Sequence, residues 1–179
     1  MTTGTFVESG MTFGPFLAGH CFYIEKCACY RRIQHGVQMA EVLLLQKKTE
    51  NSPVVWVIEA KSSSPRPGTP TKFAEFIEEI RSKLTNGFLL GVAAILDRHS
   101  DAPAELPAPF KTLDLKQTGF RFVLVINGHK REWLAPLQDA LTQALKPVIK
   151  TWALPPLSVA VINHDMAQKL GLIDLNPGI

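Results

Sequence analysis

Apolar positions along this chain change their period several times, and each change predicts an element. Val54 to Ile58 is apolar at every position, with Pro53 in front and the Ser62-Ser63-Ser64-Pro65-Arg66-Pro67-Gly68 loop behind. An unbroken run of that length fits an inner strand covered on both faces. Cys21 to Arg31 and Val37 to Lys47 are β-rich runs flanking Ile33-Gln34-His35-Gly36, where Gly36 can take the positive φ of a turn. They are expected to form a hairpin. The short connection Lys48 to Ser52 then lets the second arm pair antiparallel with the strand that begins at Pro53.

From Thr71 to Arg98 the period becomes helical, with Phe73, Phe76, Ile77, Ile80 and Leu84 recurring at steps of three and four. Asn86-Gly87 is a candidate break, after which Phe88 to Leu96 is apolar nearly all round. The Pro- and Ala-rich stretch Ser100 to Leu115 reads as a surface connection, and Gly119 to Ile126 as a further strand with a turn at Asn127-Gly128. A second helix carries Trp133, Leu137, Leu141, Leu145 and Trp152, and Pro147 is expected to end or kink it. Leu157 to Ile162 is a last strand, and His164 to Leu170 a short helix in which His164 and Asp165 read as a cap. The expected fold is α/β: a mixed central sheet flanked by helices, in the order β-β-β-α-β-α-β-α.

Length and composition narrow the picture. With 179 residues, 46% hydrophobic and 20% charged, the chain fits one well-cored domain. It divides into an irregular segment 1–20, a core 21–126 and a C-terminal helix-strand-helix portion 127–179. The net charge of +3 is compatible with a polyanionic partner but falls short of a nucleic-acid coat protein. Three clustered cysteines, Cys21, Cys27 and Cys29, make no disulfide framework, and no second Cys or His pair of zinc-site spacing accompanies them. Cys27 and Cys29 are expected on one face of a strand, as core thiols. No stretch approaches a membrane span and no leader pattern opens the chain, so a cytoplasmic protein without a membrane partner is expected.

Charge appears at the end of the inner strand, where Ile58 is followed by Glu59-Ala60-Lys61. Side chains alternate across a strand, so Glu59 and Lys61 share a face, about 6.5–7 Å apart along it. Desolvating each charge costs several kcal/mol unless a partner or a metal compensates. A carboxylate there can hold Mg²⁺ or Mn²⁺, and a lysine beside it can orient water or stabilise charge on a phosphate. Asp114-Leu115-Lys116 repeats the acid-x-Lys spacing without the apolar strand in front. Glu41 is a lone acid just before Val42-Leu43-Leu44-Leu45, and antiparallel pairing would bring it to the same end as Glu59. Glu25, on the opposite arm, and Glu8, in the N-terminal segment, are additional candidates. Lys61, Arg66 and Lys72 are the basic groups available to phosphates. Glu75 and Lys83 on the long helix read as its solvated face.

A hairpin and third strand with Glu41 on the second strand and Glu59-Ala60-Lys61 on the third, then a helix and a further strand, resembles the PD-(D/E)xK nuclease superfamily, with its restriction-endonuclease-like fold. The resemblance covers residues 21–126. Glu41 takes the position of the first motif's acid, although it replaces the usual aspartate and follows Ala40 in place of proline. The superfamily's N-terminal helix is not evident before Cys21. The resemblance implies that Glu41 and Glu59 bind Mg²⁺ or Mn²⁺ and that Lys61 assists the water attacking a phosphodiester. It further implies a nuclease acting on DNA or RNA, as in bacterial restriction, repair or anti-phage systems. The other reading is an inactive nuclease-fold module for nucleic-acid or protein binding and complex assembly. No groove-reading element is legible, so a homodimer or a partner protein is expected to deliver the nucleic acid.

Overall fold

The computed structural model describes residues 4–47 and 53–174. The expected connection Lys48 to Ser52 lies outside the described residues. The chain opens with a two-stranded hairpin, β1 (Phe6–Glu8) and β2 (Met11–Phe13). Ser9 and Gly10 between them both have positive φ, 52° and 74°, as a two-residue turn matched to strand twist requires. Residues 1–20, read as loop or short strand, therefore include a pair of short strands.

A second difference follows at once. β3 is only Cys21–Phe22, and the rest of the expected first arm is a 3-10 turn (Ile24–Lys26) and a helix, α1 (Ala28–Ile33). Cys27 and Cys29 accordingly share no strand. The Cys27 Sγ accepts a hydrogen bond from the Tyr30 backbone N–H at 3.3 Å and caps α1. Arg32 pairs with Asp101 at 2.8 Å and Arg31 with Glu105 at 3.8 Å. Local capping and these long-range pairs override the β-branched and aromatic character of the segment. Gly36 does take a positive φ, 75°, in the turn behind α1.

From there the described residues follow the expected order. β4 (Val42–Lys47) pairs antiparallel with β3 and with β5 (Pro53–Lys61). α2 (Pro70–Ile95) crosses over to β6 (Gly119–Ile126), parallel to β5, and α5 (Leu134–Thr151) crosses over to β7 (Val159–Asn163), parallel to β6. Between α2 and β6 lie two short helices, α3 (Ala102–Glu105) and α4 (Ala108–Lys111), and α6 (His164–Lys169) closes the order. The result is a mixed five-stranded sheet, β3-β4-β5-β6-β7, flanked by helices. Ala102, Leu106 and Phe110 are buried, so the proline-rich stretch contributes to the core as well as connecting. No helix among the described residues is long and apolar enough to cross a membrane.

Each sheet face has its own core. Leu43, Val57, Phe122 and Leu124 face α2 and α5, whereas Leu44, Ile58, Val123 and Ile162 face the β1–β2 hairpin and α6. Neither long helix ends at its expected break. α2 runs unbroken through Asn86-Gly87, and α5 runs through Pro147, which lies on its exposed side, where water can take the carbonyl left without a donor. The cap of α6 is Asn163, whose side chain accepts from the Met166 N–H at 3.0 Å; His164 is the helix's first residue.

Gly87 sets how closely α2 approaches the sheet. A Cβ there would lie 2.9 Å from the Ala40 Cβ and 3.0 Å from the Val57 Cγ1, both fixed positions. At Gly91, by contrast, a Cβ would meet Leu43 Cδ1 at 2.6 Å, the mobile end of a side chain that can turn away. Alanine in place of glycine favours a helix by about 1 kcal/mol, while overpacking costs about 1–3 kcal/mol. Gly87→Ala is therefore expected to lower the thermal midpoint and Gly91→Ala to leave it nearly unchanged. Thermal unfolding followed by circular dichroism checks the ordering.

Candidate functional site

The start of β4 and the end of β5 bring Glu41 and Glu59 within electrostatic range of each other. β4 pairs with β5 as far as Val42, which faces Ile58, and Glu41, in a bend just ahead of it, donates its N–H to the Ile58 carbonyl at 3.1 Å. Glu59 lies beside Leu124 of β6, on the sheet face covered by α2 and α5.

Glu59 is 0% exposed. The sequence places it at a strand end open to a cleft; the structure closes α2 over it. Its Oε1 accepts a hydrogen bond from Lys83 Nζ at 2.8 Å and lies 3.4 Å from Lys61 Nζ. Lys61 in turn donates to Glu79 at 2.6 Å. The Glu59 Oε2 is buried and, among the described residues, has no hydrogen-bond partner. Burial pushes the Glu59 carboxyl above its ordinary range, while Lys83 and Lys61 pull it back down. Burial alone would lower the pKa of Lys83, but Glu59, and then Glu41 and Glu25, more than offset this and hold it above the ordinary lysine value.

Glu41 is pushed up to about 9, first by burial, then by a hydrogen bond with the Glu25 side chain and by the charges of Glu59, Glu25 and Glu8. The structure thus brings Glu8, Glu25 and Glu59 into electrostatic range of Glu41. The β1–β2 hairpin delivers Glu8, docked by two hydrogen bonds: Ser9 Oγ donates to the Ala60 carbonyl at 3.1 Å, and Asn127 Nδ2 donates to the Ser9 carbonyl at 3.1 Å. Glu25 arrives on the 3-10 turn that replaced the expected strand, where its N–H reaches the Glu41 carbonyl at 3.5 Å.

Among the described residues, no group of three or more His, Cys, Asp or Glu side chains stands close enough to hold a metal ion. Mg²⁺ does not require such a cage, since it commonly takes one or two carboxylates and keeps several waters. Glu41 and Glu59 fit it: they are hard oxygen donors, and the buried Glu59 Oε2 lacks the partner that a buried charged oxygen demands. Arg66 and Lys72 are exposed and do not belong to this cluster; Arg66 lies over the Trp133 ring, 5.4 Å from its centroid. Asp114 is in a turn, where its Oδ1 accepts from the Lys116 N–H at 2.9 Å, remote in character from the buried pair.

Sequence reasoning missed Lys83 and Glu79. The signal was present: Phe76, Ile80, Lys83 and Gly87 follow one another at steps of four, three and four, so Lys83 lies on the helix's apolar stripe. Comparison with protein-family models, with curated proteins and with solved structures finds no match.

The raised pKa of Glu41 has a definite consequence for stability. A carboxyl whose folded value exceeds its unfolded value adds stability that is complete below the unfolded value and lost as pH rises through the folded one. With a divalent chelator present, the thermal midpoint is expected to fall as pH climbs from about 4.5 to about 9. Glu41→Gln should flatten that slope and gain roughly 5 °C over wild type at its alkaline end. Differential scanning fluorimetry across pH checks this; equal slopes for the two proteins would contradict it.

Proposed function

We propose that this chain is a divalent-cation-dependent nuclease of the PD-(D/E)xK type, hydrolysing phosphodiester bonds of nucleic acid, with DNA as the first substrate to test. The observation that carries the reading is the buried Glu59 Oε2, without a hydrogen-bond partner among the described residues, and the nearness of Glu41, which feels the Glu59 charge. The order β4-β5-α2-β6-α5-β7-α6, with the short helices α3 and α4 between α2 and β6, supports it as well.

In this reading Glu41 and Glu59 hold Mg²⁺ or Mn²⁺. When bound, the ion supplies Lewis-acid polarisation of a phosphoryl oxygen and lowers the pKa of coordinated water. The protein's own groups do the rest. Lys83 anchors Glu59 Oε1 and leaves Oε2 as the free donor, which makes it a positioning residue. Lys61 has a quarter of its side chain exposed, 24%, and its ammonium can turn from Glu79 toward a phosphate and stabilise the charge that develops there. Glu8 and Glu25 raise the negative potential around Glu41 and so favour a cation.

A second reading has its own support. Lys83 and Lys61 already provide cationic partners for Glu59, an arrangement suited to a nuclease-fold module that binds without cutting. Isosteric substitutions separate the two. Because Glu59 is fully buried, Glu59→Gln is a better probe than truncation, which would leave Lys83 unpaired. Glu59→Gln and Lys61→Met are expected to reduce cleavage of oligonucleotides in Mg²⁺ or Mn²⁺ by about 100-fold or more, with Asp114→Ala and Lys116→Ala unchanged. A wild-type protein that binds and never cuts supports the module. Cleavage that persists in both site variants places the chemistry elsewhere.

A further inference from the structure

Beyond the carboxyl end of β5, the chain forms a cavity of about 600 Å³. Its walls come from the Ser62–Pro67 loop, the loop behind β6 and the first turn of α5, including Pro65, Arg66, Trp133, Pro136 and Leu137. The loop starts one residue after Lys61, and the Asn127 N–H donates to the Lys61 carbonyl at 2.8 Å, so the cavity adjoins the acid cluster's exposed lysine. Leu137 packs in the same core as Leu124, the neighbour of Glu59, which puts the cavity on the sheet face that carries Glu59 and Lys61.

The chemistry of the lining is specific. The guanidinium of Arg66, in the lining, lies 5.4 Å from the Trp133 ring centroid, and the ammonium of Lys130, beside the lining, lies 5.3 Å from it. An aromatic ring holds a cation in place without neutralising it, as a carboxylate would. Among the described residues neither cation has an ion pair, so their charges remain available to an anion. His129 adds a second ring against Trp133, edge-on at 5.3 Å, fixed by a 2.9 Å hydrogen bond between its Nε2 and Ser64 Oγ. A guanidinium plane backed by an indole is a stacking platform for a base, and a neighbouring ammonium suits the phosphate that accompanies it. The volume lies in the range of small-ligand sites and admits one nucleotide, whereas a duplex buries each base between its neighbours.

We propose that this cavity is the seat of one unpaired nucleotide next to the scissile phosphate, its base stacked on Arg66 where Trp133 backs it and its phosphate directed out toward Lys130 beside the cavity. The proposal rests on the nuclease reading and deepens it: the substrate is a single-stranded segment or an unpaired end. Specificity for strandedness then comes from a cavity, with no element entering a groove.

Fluorescence anisotropy in chelator, without cleavage, tests it with a labelled single-stranded oligonucleotide and the same strand annealed to its complement. Wild type is expected to prefer the single strand by about tenfold or more, and Trp133→Ala and Arg66→Ala to remove most of that preference. Arg66→Lys keeps the charge and loses the plane, so it should also lose the preference, which a purely electrostatic role would spare. Both residues are exposed, Trp133 at 39%, and thermal midpoints verify that the variants fold; Arg66→Lys decides alone if Trp133→Ala does not. Equal affinity of wild type for both probes, or undiminished preference in Arg66→Lys, overturns the proposal. Cleavage in Mn²⁺ is read separately. Strand-selective binding without cutting leaves the cavity standing and removes the hydrolytic reading, and cutting indifferent to strandedness and to Arg66 does the reverse.

Discussion

A carboxylate with no access to water requires charged or polar neighbours, and Glu59 sets that requirement for this molecule. Lys83 meets half of it from α2, with 2.8 Å between Nζ and Oε1. That contact depends on the helix lying close to the sheet, which the bare backbone at Gly87 permits against Ala40 and Val57. Packing and charge are thus coupled. The same glycine that lets α2 approach β4 and β5 also brings a lysine within reach of a buried acid, and moving the helix outward would strand both charges in a low-dielectric interior.

The other half of the requirement is unmet. Among the described residues Oε2 of Glu59 has no hydrogen-bond partner, and Glu41, within its electrostatic range, is crowded by Glu25 and Glu8. Like charges brought together in a folded chain disfavour ionisation, and burial acts in the same direction, so without a cation Glu41 holds its proton near neutral pH, with a pKa pushed up to about 9. Acids converge here from four separate pieces of chain: the N-terminal hairpin, the 3-10 turn, the start of β4 and the end of β5. Such convergence opposes folding unless something positive rewards it, and a divalent cation would do so for two carboxylates at once.

Much of this was legible in the sequence because it rests on local pattern. The unbroken apolar run of β5, the helical stripe of α2 and the strands behind it follow from local apolar pattern, and the nearness of Glu41 to Glu59 follows from a short connection between antiparallel strands. What escaped depends on contacts distant in sequence. Ala28–Ile33 became a helix through a cysteine cap and pairs with Asp101 and Glu105, none visible in the segment's own propensities. Glu59 was legible as a charge at the end of an inner strand but not as a fully buried one, since the cover over it comes from α2, whose Lys83 reads as solvated until its place on the apolar stripe is counted. Ser9-Gly10 carried a turn signal that only the paired strands on either side make decisive. The cavity beyond β5 required the loops after two different strands and could not be read from either alone.

The central claim is that Glu41 and Glu59 together hold a divalent cation. Crystals of the protein soaked in Mn²⁺ and measured for anomalous scattering address it directly. The account predicts an anomalous peak within coordination distance, about 2.0–2.2 Å, of Glu59 Oε2 and of a Glu41 carboxylate oxygen, and no such peak in crystals of Glu59→Gln. A Glu59 Oε2 still without a partner in Mn²⁺-soaked wild type, with no peak between the two acids, would contradict it.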